Sequence, residues 1–232
     1  MTETVRRSAE SVIQTGHTAY PVLTPDSTVA TGLPVMVASG LRGLKGAGQR
    51  GASDRPESIH RFRIGLRRLR SVLSAFSTVL PEDERRGLSR RLGSLGRSYS
   101  RLREWDVFIA DTVQPLAESL PDEPSIVELE ATAREARNHA LPDTGSLRRQ
   151  VEDIATTIEE AEWLQRPTGT FALDWEKDLS DFASELLAKR HRRLRKRLKK
   201  VDIADQEDFH RLRIQAKKIR YPTEMFRNLF DP

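Results

Sequence analysis

The chain has 232 residues, with 39 basic against 34 acidic side chains, a formal charge of +5, no cysteine and 6% aromatic residues. Without cysteine there is neither a disulfide framework nor a thiolate metal site, which fits a reducing, cytoplasmic setting. Few aromatics beside 31% charged residues argue for long amphipathic helices and against a β-sandwich, while the longest apolar run, "GLPVMVASGL" (Gly32–Leu41), is too short to cross a bilayer and carries no signal-peptide charge pattern before it.

Residues 1–27 are rich in Gly, Pro, Thr and Ser without sustained periodicity, so a tail or linker is expected there. Helical spacing then predicts helices over about 28–48, 55–80, 82–119, 124–140, 146–164, 171–201 and 206–229. They are separated by "GAGQRGASDRP", "LPED", "LPDEP", "LPDTG" and "RPTGT", where glycine and proline break the pattern. Asp54 with Glu57 is a candidate cap for the second helix, and the Asp143–Ser146 stretch for the fifth. No alternating strand pattern of useful length appears, so the fold class is all-α.

The mild net charge conceals segregation. Lys189–Lys200 reads "KRHRRLRKRLKK", nine cations in twelve residues with no acid, whereas acids gather in Glu118–Glu135 and Glu152–Glu162. A polyanion-binding face follows more naturally from this than an evenly salted surface. Leu187, His191, Leu194 and Leu198 make a seam along the same helix, which places His191 at its edge.

A repeat organises the chain. Shifted by 150 residues, His60, Arg61, Arg63, Ile64, Arg70 and Phe76 fall on His210, Arg211, Arg213, Ile214, Arg220 and Phe226, and Arg67 and Arg68 fall on Lys217 and Lys218. The same register carries Val37 to Leu187, Arg42 to Arg192, Leu44 to Leu194 and Lys45 to Arg195. One shift serving two helices indicates a duplicated helical hairpin, with two units about a pseudo-twofold axis. The first half covers about 28–142 and the second about 143–232, of which the second is expected to be incomplete. Either that unit is short or the chain is cut near Pro232, and missing helices would leave part of an apolar face exposed.

On a helical wheel His60, Arg63, Arg67 and Arg70 share a sector about 80° wide, roughly opposite Phe62, Leu66, Leu69, Leu73 and Phe76. Arg61 and Arg68 form a separate edge suited to salt bridges with acids such as Glu104 or Asp106. Aligned like charges repel by a few tenths of a kcal/mol per pair in an isolated helix, so their recurrence in both copies points to an external anion. Arginine suits phosphate because its planar fork donates two parallel hydrogen bonds and stays charged; histidine adds a donor that charges near or below neutrality. The stripe runs roughly 15 Å, too long for one phosphate and suited to a chain of them.

These features resemble the CHAD family, the conserved-histidine α-helical domain. "HRFRIGLRRLRSVLSAF" is similar to its hallmark helix, "HRLRIQAKKIRYPTEMF" echoes it with lysines for two arginines, and "RLREWDV" is similar to the family's Arg-Asp-Leu-Asp-Val segment with Glu104 at a usual aspartate. The likeness spans about residues 28–232. It implies two helical bundles related by pseudo-twofold symmetry and the binding of inorganic polyphosphate in a basic channel. His60, Arg63, Arg67 and Arg70 would line that channel with His210, Arg213, Lys217 and Arg220. Arg42, Lys45, Arg192 and Arg195 would add contacts, and Arg190, Arg193 and Arg197 complete the candidate set. The family often accompanies a CYTH triphosphatase domain, whose Glu-x-Glu-x-Lys signature is absent from this sequence. Pro222 departs from the first copy, where Val72 stands, and a bend after Tyr221 is expected.

The function expected is therefore non-enzymatic binding of polyphosphate without cofactor or metal. Nucleic-acid backbone binding is an alternative, although aromatic stacking platforms are few in the cationic segments. A histidine phosphocarrier is a further one, although no lysine-glycine pair follows His60 or His210. The location expected is cytoplasmic, with polyphosphate granules as the candidate site there.

Overall fold

Amphipathic spacing without strand alternation produces helices throughout the residues that the computed structural model describes, 21–49, 56–165, 175–202 and 204–230. They are α1 (Val29–Gln49), α2 (Pro56–Ala75), α3 (Glu82–Ser98), α4 (Ser100–Phe108), a π-helical turn (Ile109–Val113), α5 (Gln114–Ser119), α6 (Pro124–His139), α7 (Thr144–Glu159), α8 (Glu162–Gln165), α9 (Leu179–Leu198) and α10 (Gln206–Phe226), which ends in a 3-10 turn, Arg227–Leu229. The fold is all-helical. None of the described helices is long and apolar enough to cross a membrane.

Aspartates start three of these helices. Asp143 accepts hydrogen bonds from the Gly145 and Ser146 amides, Asp178 from Ser180 and Asp181, and Asp205 from Glu207 and Asp208, satisfying donors that have no intrahelical acceptor. Asp54, the other expected cap, lies outside the described residues.

The single helix expected over 82–119 is broken twice. Tyr99 leaves the helical ladder and packs its ring on Phe62, centroid to centroid 4.6 Å, so a tertiary contact sets the joint between α3 and α4. Pro115 has no N–H for the Asp111 carbonyl, and the ladder just before it widens to a π turn in which Gln114 donates to Ile109.

The core is assembled around a close crossing of α1 and α2. A methyl group on Gly65 would come within 2.7 Å of the Leu44 nitrogen and 2.8 Å of the Gly43 carbonyl carbon, so only glycine permits this approach. From that crossing α2 buries Ile59, Phe62, Leu66, Leu69 and Leu73, while Leu88, Leu92 and Leu95 of α3 and Leu147, Val151, Ile154 and Ile158 of α7 close over them. α7, placed by the repeat at the start of the second half, thus packs against α1 and α3 of the first. The segment just before α1, expected to be part of a tail, is built in from residue 21 onward. Leu23 joins the core, Val29 donates to the Lys177 carbonyl at 2.9 Å and Leu179 to the Ser27 carbonyl at 2.8 Å.

A smaller cluster of Ile109, Val113 and Ala133 with Trp105, Phe108 and Leu129 fastens α4 to α6. Beside it Asp106, expected to serve an arginine, accepts from Arg137 Nε at 2.7 Å. The second hairpin, α9–α10, docks through Phe182 and Phe226, whose rings lie 4.9 and 6.0 Å from that of Phe76. At the opposite end this hairpin is uncovered: Phe209 is 50% exposed where its repeat partner Ile59 is 1% exposed, and Leu198 at the end of the expected seam is 57% exposed.

Pro222 stands inside α10 and is buried. The helix continues through it to Phe226, past the bend expected after Tyr221.

Two glycine substitutions should separate packing from backbone effects. Gly65→Ala should lower stability by about 2–3 kcal/mol, read as a fall in thermal midpoint of roughly 5–10 °C, because α1 and α2 must move apart. Gly87→Ala in α3, where a Cβ meets nothing within 4 Å, should raise stability by about 0.5–1 kcal/mol in urea unfolding, by improving helix propensity and restricting the unfolded chain.

Candidate functional site

With its apolar side in the core and Arg61 and Arg68 on a separate edge, α2 turns its remaining cationic stripe outward. His60, Arg63, Arg67 and Arg70 are solvent-accessible and form one wall of a groove of about 780 Å³. α10 provides the facing wall with Ile214, Lys217, Lys218 and Tyr221. Between them α3 and α4 contribute Gly93, Gly96, Arg97, Ser100 and Arg103, the glycines keeping that surface low. A second cavity of about 940 Å³ shares Ser74, Arg190, Ile214 and Lys218 with the first and continues along α9 and α10 past Arg193, Lys196, Arg197, Lys199, Lys200 and Arg211. Among the described residues no carboxylate lines either cavity.

Burial and crowded charge both act on the groove's arginines. The Arg63 guanidinium is held below its ordinary pKa, first by desolvation and then by Arg103 and Arg67, with Asp106 opposing. A guanidinium stays protonated in spite of this, so the repulsion persists as a positive potential along the groove. Arg67 lies over the Tyr221 ring, 5.2 Å from its centroid, a cation–π contact joining the two walls. In the second cavity part of the charge is met from behind: Arg197 pairs with Asp208, and Arg211 with Glu207.

Arg190 behaves differently. One Nη donates to the Lys218 carbonyl of α10, and the other donates to the Ser74 carbonyl of α2 at 2.6 Å and lies 3.1 Å from Ser74 Oγ. Burial, followed by the neighbouring Arg193, holds its pKa below the ordinary arginine value.

Of the candidate residues, the first cavity brings together His60, Arg63, Arg67, Arg70, Arg190 and Lys217, and the second adds Arg193 and Arg197. Arg42, Lys45, Arg192, Arg195, His210, Arg213 and Arg220 line neither cavity. Lys45 instead reaches Glu159 of α7 at 2.6 Å, and Arg220 donates to Glu224 at 2.7 Å. The stripe of the second copy is therefore divided, with Lys217 on the groove and the rest elsewhere. Arg97, Arg103, Lys218, Lys196, Lys199, Lys200 and Arg211 also line the cavities and are not among the candidates. For the α3–α4 wall a signal exists: Gly93, Gly96, Arg97, Ser100 and Arg103 recur at steps of three and four, a small-and-basic stripe on one face.

Chemically this arrangement offers many fixed cationic donors and one imidazole, His60, with no carboxylate among the described lining residues to act as its partner. It is equipped to hold an extended anion.

Comparison with known proteins agrees with the architecture. No curated protein matches the chain. Among solved structures, the crystal structure of the CHAD domain from the plant Ricinus communis is similar at TM-score 0.72 and 23% identity, over 93% of this chain and 71% of that one. The family model described as CHAD domain matches residues 37–232. With most of its length inside that match, the chain belongs to the CHAD domain family.

Proposed function

We propose that this chain is a non-enzymatic binding module for inorganic polyphosphate, held in the groove between α2 and α10. The observation that carries this reading is the pair of adjoining cavities, lined by arginine, lysine and histidine with no carboxylate among the described residues. A linear polyanion presents a charge at every repeat unit and can satisfy such a surface along its length. A small monoanion would leave most of these donors mutually repelled. Each guanidinium–phosphate contact is a charge-assisted hydrogen bond, often two in parallel.

Nucleic acid offers the same backbone charge but requires somewhere for its bases. Among the described residues Tyr221 is the sole aromatic side chain in either lining, and its ring already carries Arg67. This favours a polymer without bases. No catalytic step is assigned to His60, since a proton acceptor or metal-binding carboxylate would have to stand beside it in the same cavity.

Arg63→Glu with Arg67→Glu should weaken binding of long-chain polyphosphate by about 10²-fold or more, since each lost charge-assisted contact is worth roughly 1.5–3 kcal/mol. Arg134→Glu with Arg148→Glu changes net charge equally on exposed surfaces that line neither cavity and should alter affinity by no more than about threefold, through the screened general field. Equal loss in both double variants, measured by calorimetric titration, would remove the groove from the explanation.

Salt provides a second test. If about six phosphate contacts release counterions, affinity should fall by about 10²–10³-fold between 50 and 200 mM salt. Displacement of bound polyphosphate by an equal phosphate concentration of single-stranded RNA would favour the nucleic-acid reading.

A further inference from the structure

A proline within a helix leaves one carbonyl stranded, because the residue four positions earlier loses its donor. In α10 that proline is Pro222 and the stranded carbonyl is Lys218. The donor that reaches the Lys218 oxygen comes from another helix, the Arg190 guanidinium of α9. The same guanidinium holds the carbonyl of Ser74, in the last turn of α2, where carbonyls also run out of intrahelical donors. One side chain therefore serves two unsatisfied helix carbonyls and ties three helices at the point where the two cavities meet.

The repeat shows that the two substitutions belong together. At the positions equivalent to Pro222 and Arg190, the first copy has Val72 and Gly40. Val72 retains its N–H and α2 runs without a break to Ala75, so no external donor is called for, and Gly40 supplies none. The second copy has both the proline and the arginine.

We propose that Arg190 is a positioning residue, not a ligand contact: by occupying the carbonyl that Pro222 strips, it fixes α10 against α2 and sets the separation of Lys217 and Lys218 from the Arg63–Arg70 wall. Among the described residues Arg190 forms no ion pair, so its charge remains part of the groove's field while its hydrogen bonds are spent on backbone. A lysine could replace the charge, but a single ammonium lacks the two-pronged span between Ser74 and Lys218. The effect on binding rests on the polyphosphate reading above; the clasp itself does not.

The test is a thermal-unfolding cycle on the full chain. Arg190→Gln and Arg190→Lys should each lower the midpoint by about 4–8 °C with Pro222 present, the range expected for weakening charge-assisted hydrogen bonds to two helix carbonyls that have no intrahelical donor. With Pro222→Ala, residue 222 regains an N–H for Lys218, and the same Arg190 substitutions should lower the midpoint by clearly less, since only the contact to Ser74 is then lost. Equal losses in both backgrounds would overturn the clasp. If an Arg190 variant fails to fold alone, recovery of folding on adding Pro222→Ala supports it and continued failure overturns it.

Titration with long-chain polyphosphate then separates position from charge. Arg190→Lys should lose about as much affinity as Arg190→Gln, on the order of tenfold, and should regain part of it with Pro222→Ala. Wild-type affinity in a folded Arg190→Lys protein would reduce Arg190 to a charge and overturn the positioning role. Absence of binding by the wild-type chain would end the polyphosphate reading, and the thermal cycle would still decide the clasp.

Discussion

Guanidinium groups brought side by side repel, and a helix that carries several of them on one face must be anchored by the other. In α2 the two sides are distinct: Phe62, Leu69 and Leu73 are at most 2% exposed, while Arg63, Arg67 and Arg70 face the groove. Burial of such side chains is worth about 1.5–3 kcal/mol each, far more than the few tenths that each neighbouring pair of charges opposes. The cationic surface is thus a consequence of hydrophobic packing behind it. The Gly43–Gly65 crossing, the ring of Tyr99 on Phe62 and the α7 leucine–isoleucine face all serve to hold that one helix in place.

How much of this was legible in the sequence depends on whether the determining contact is local. Both faces of α2 obey helical spacing, so its core side and its cationic side could be read directly. The Asp143 cap was equally visible, since capping depends on neighbouring residues alone. The joint at Tyr99 was not, because a partner distant in sequence, Phe62, selects it. The α3–α4 wall is less legible, because its charges are interrupted by glycines and serines and their grouping appears only when α10 stands opposite.

The repeat was legible as homology of sequence and less so as homology of position. Gly43 and Gly65, which let α1 and α2 touch, correspond to Arg193 and Gln215 in the second hairpin, and those side chains forbid the same approach. α10 is therefore placed by its own contacts, with Phe226 against Phe76 and Arg190 across to Ser74. His210 and Arg213 consequently do not mirror His60 and Arg63 across one cavity; Lys217 and Lys218 take the facing side. The repeat keeps the kind of charge while the packing selects which members of each stripe meet.

The stacking of Arg67 on Tyr221 gives the groove a resting state of its own. The ring face is electron-rich yet carries no net charge, so it steadies the guanidinium at a contact strength of about 0.5–1 kcal/mol near the surface. That is less than the roughly 1.5–3 kcal/mol of a hydrogen bond to an ionised partner. An incoming anion therefore has the advantage in any exchange, and a placeholder of this strength keeps the arginine oriented without holding it captive.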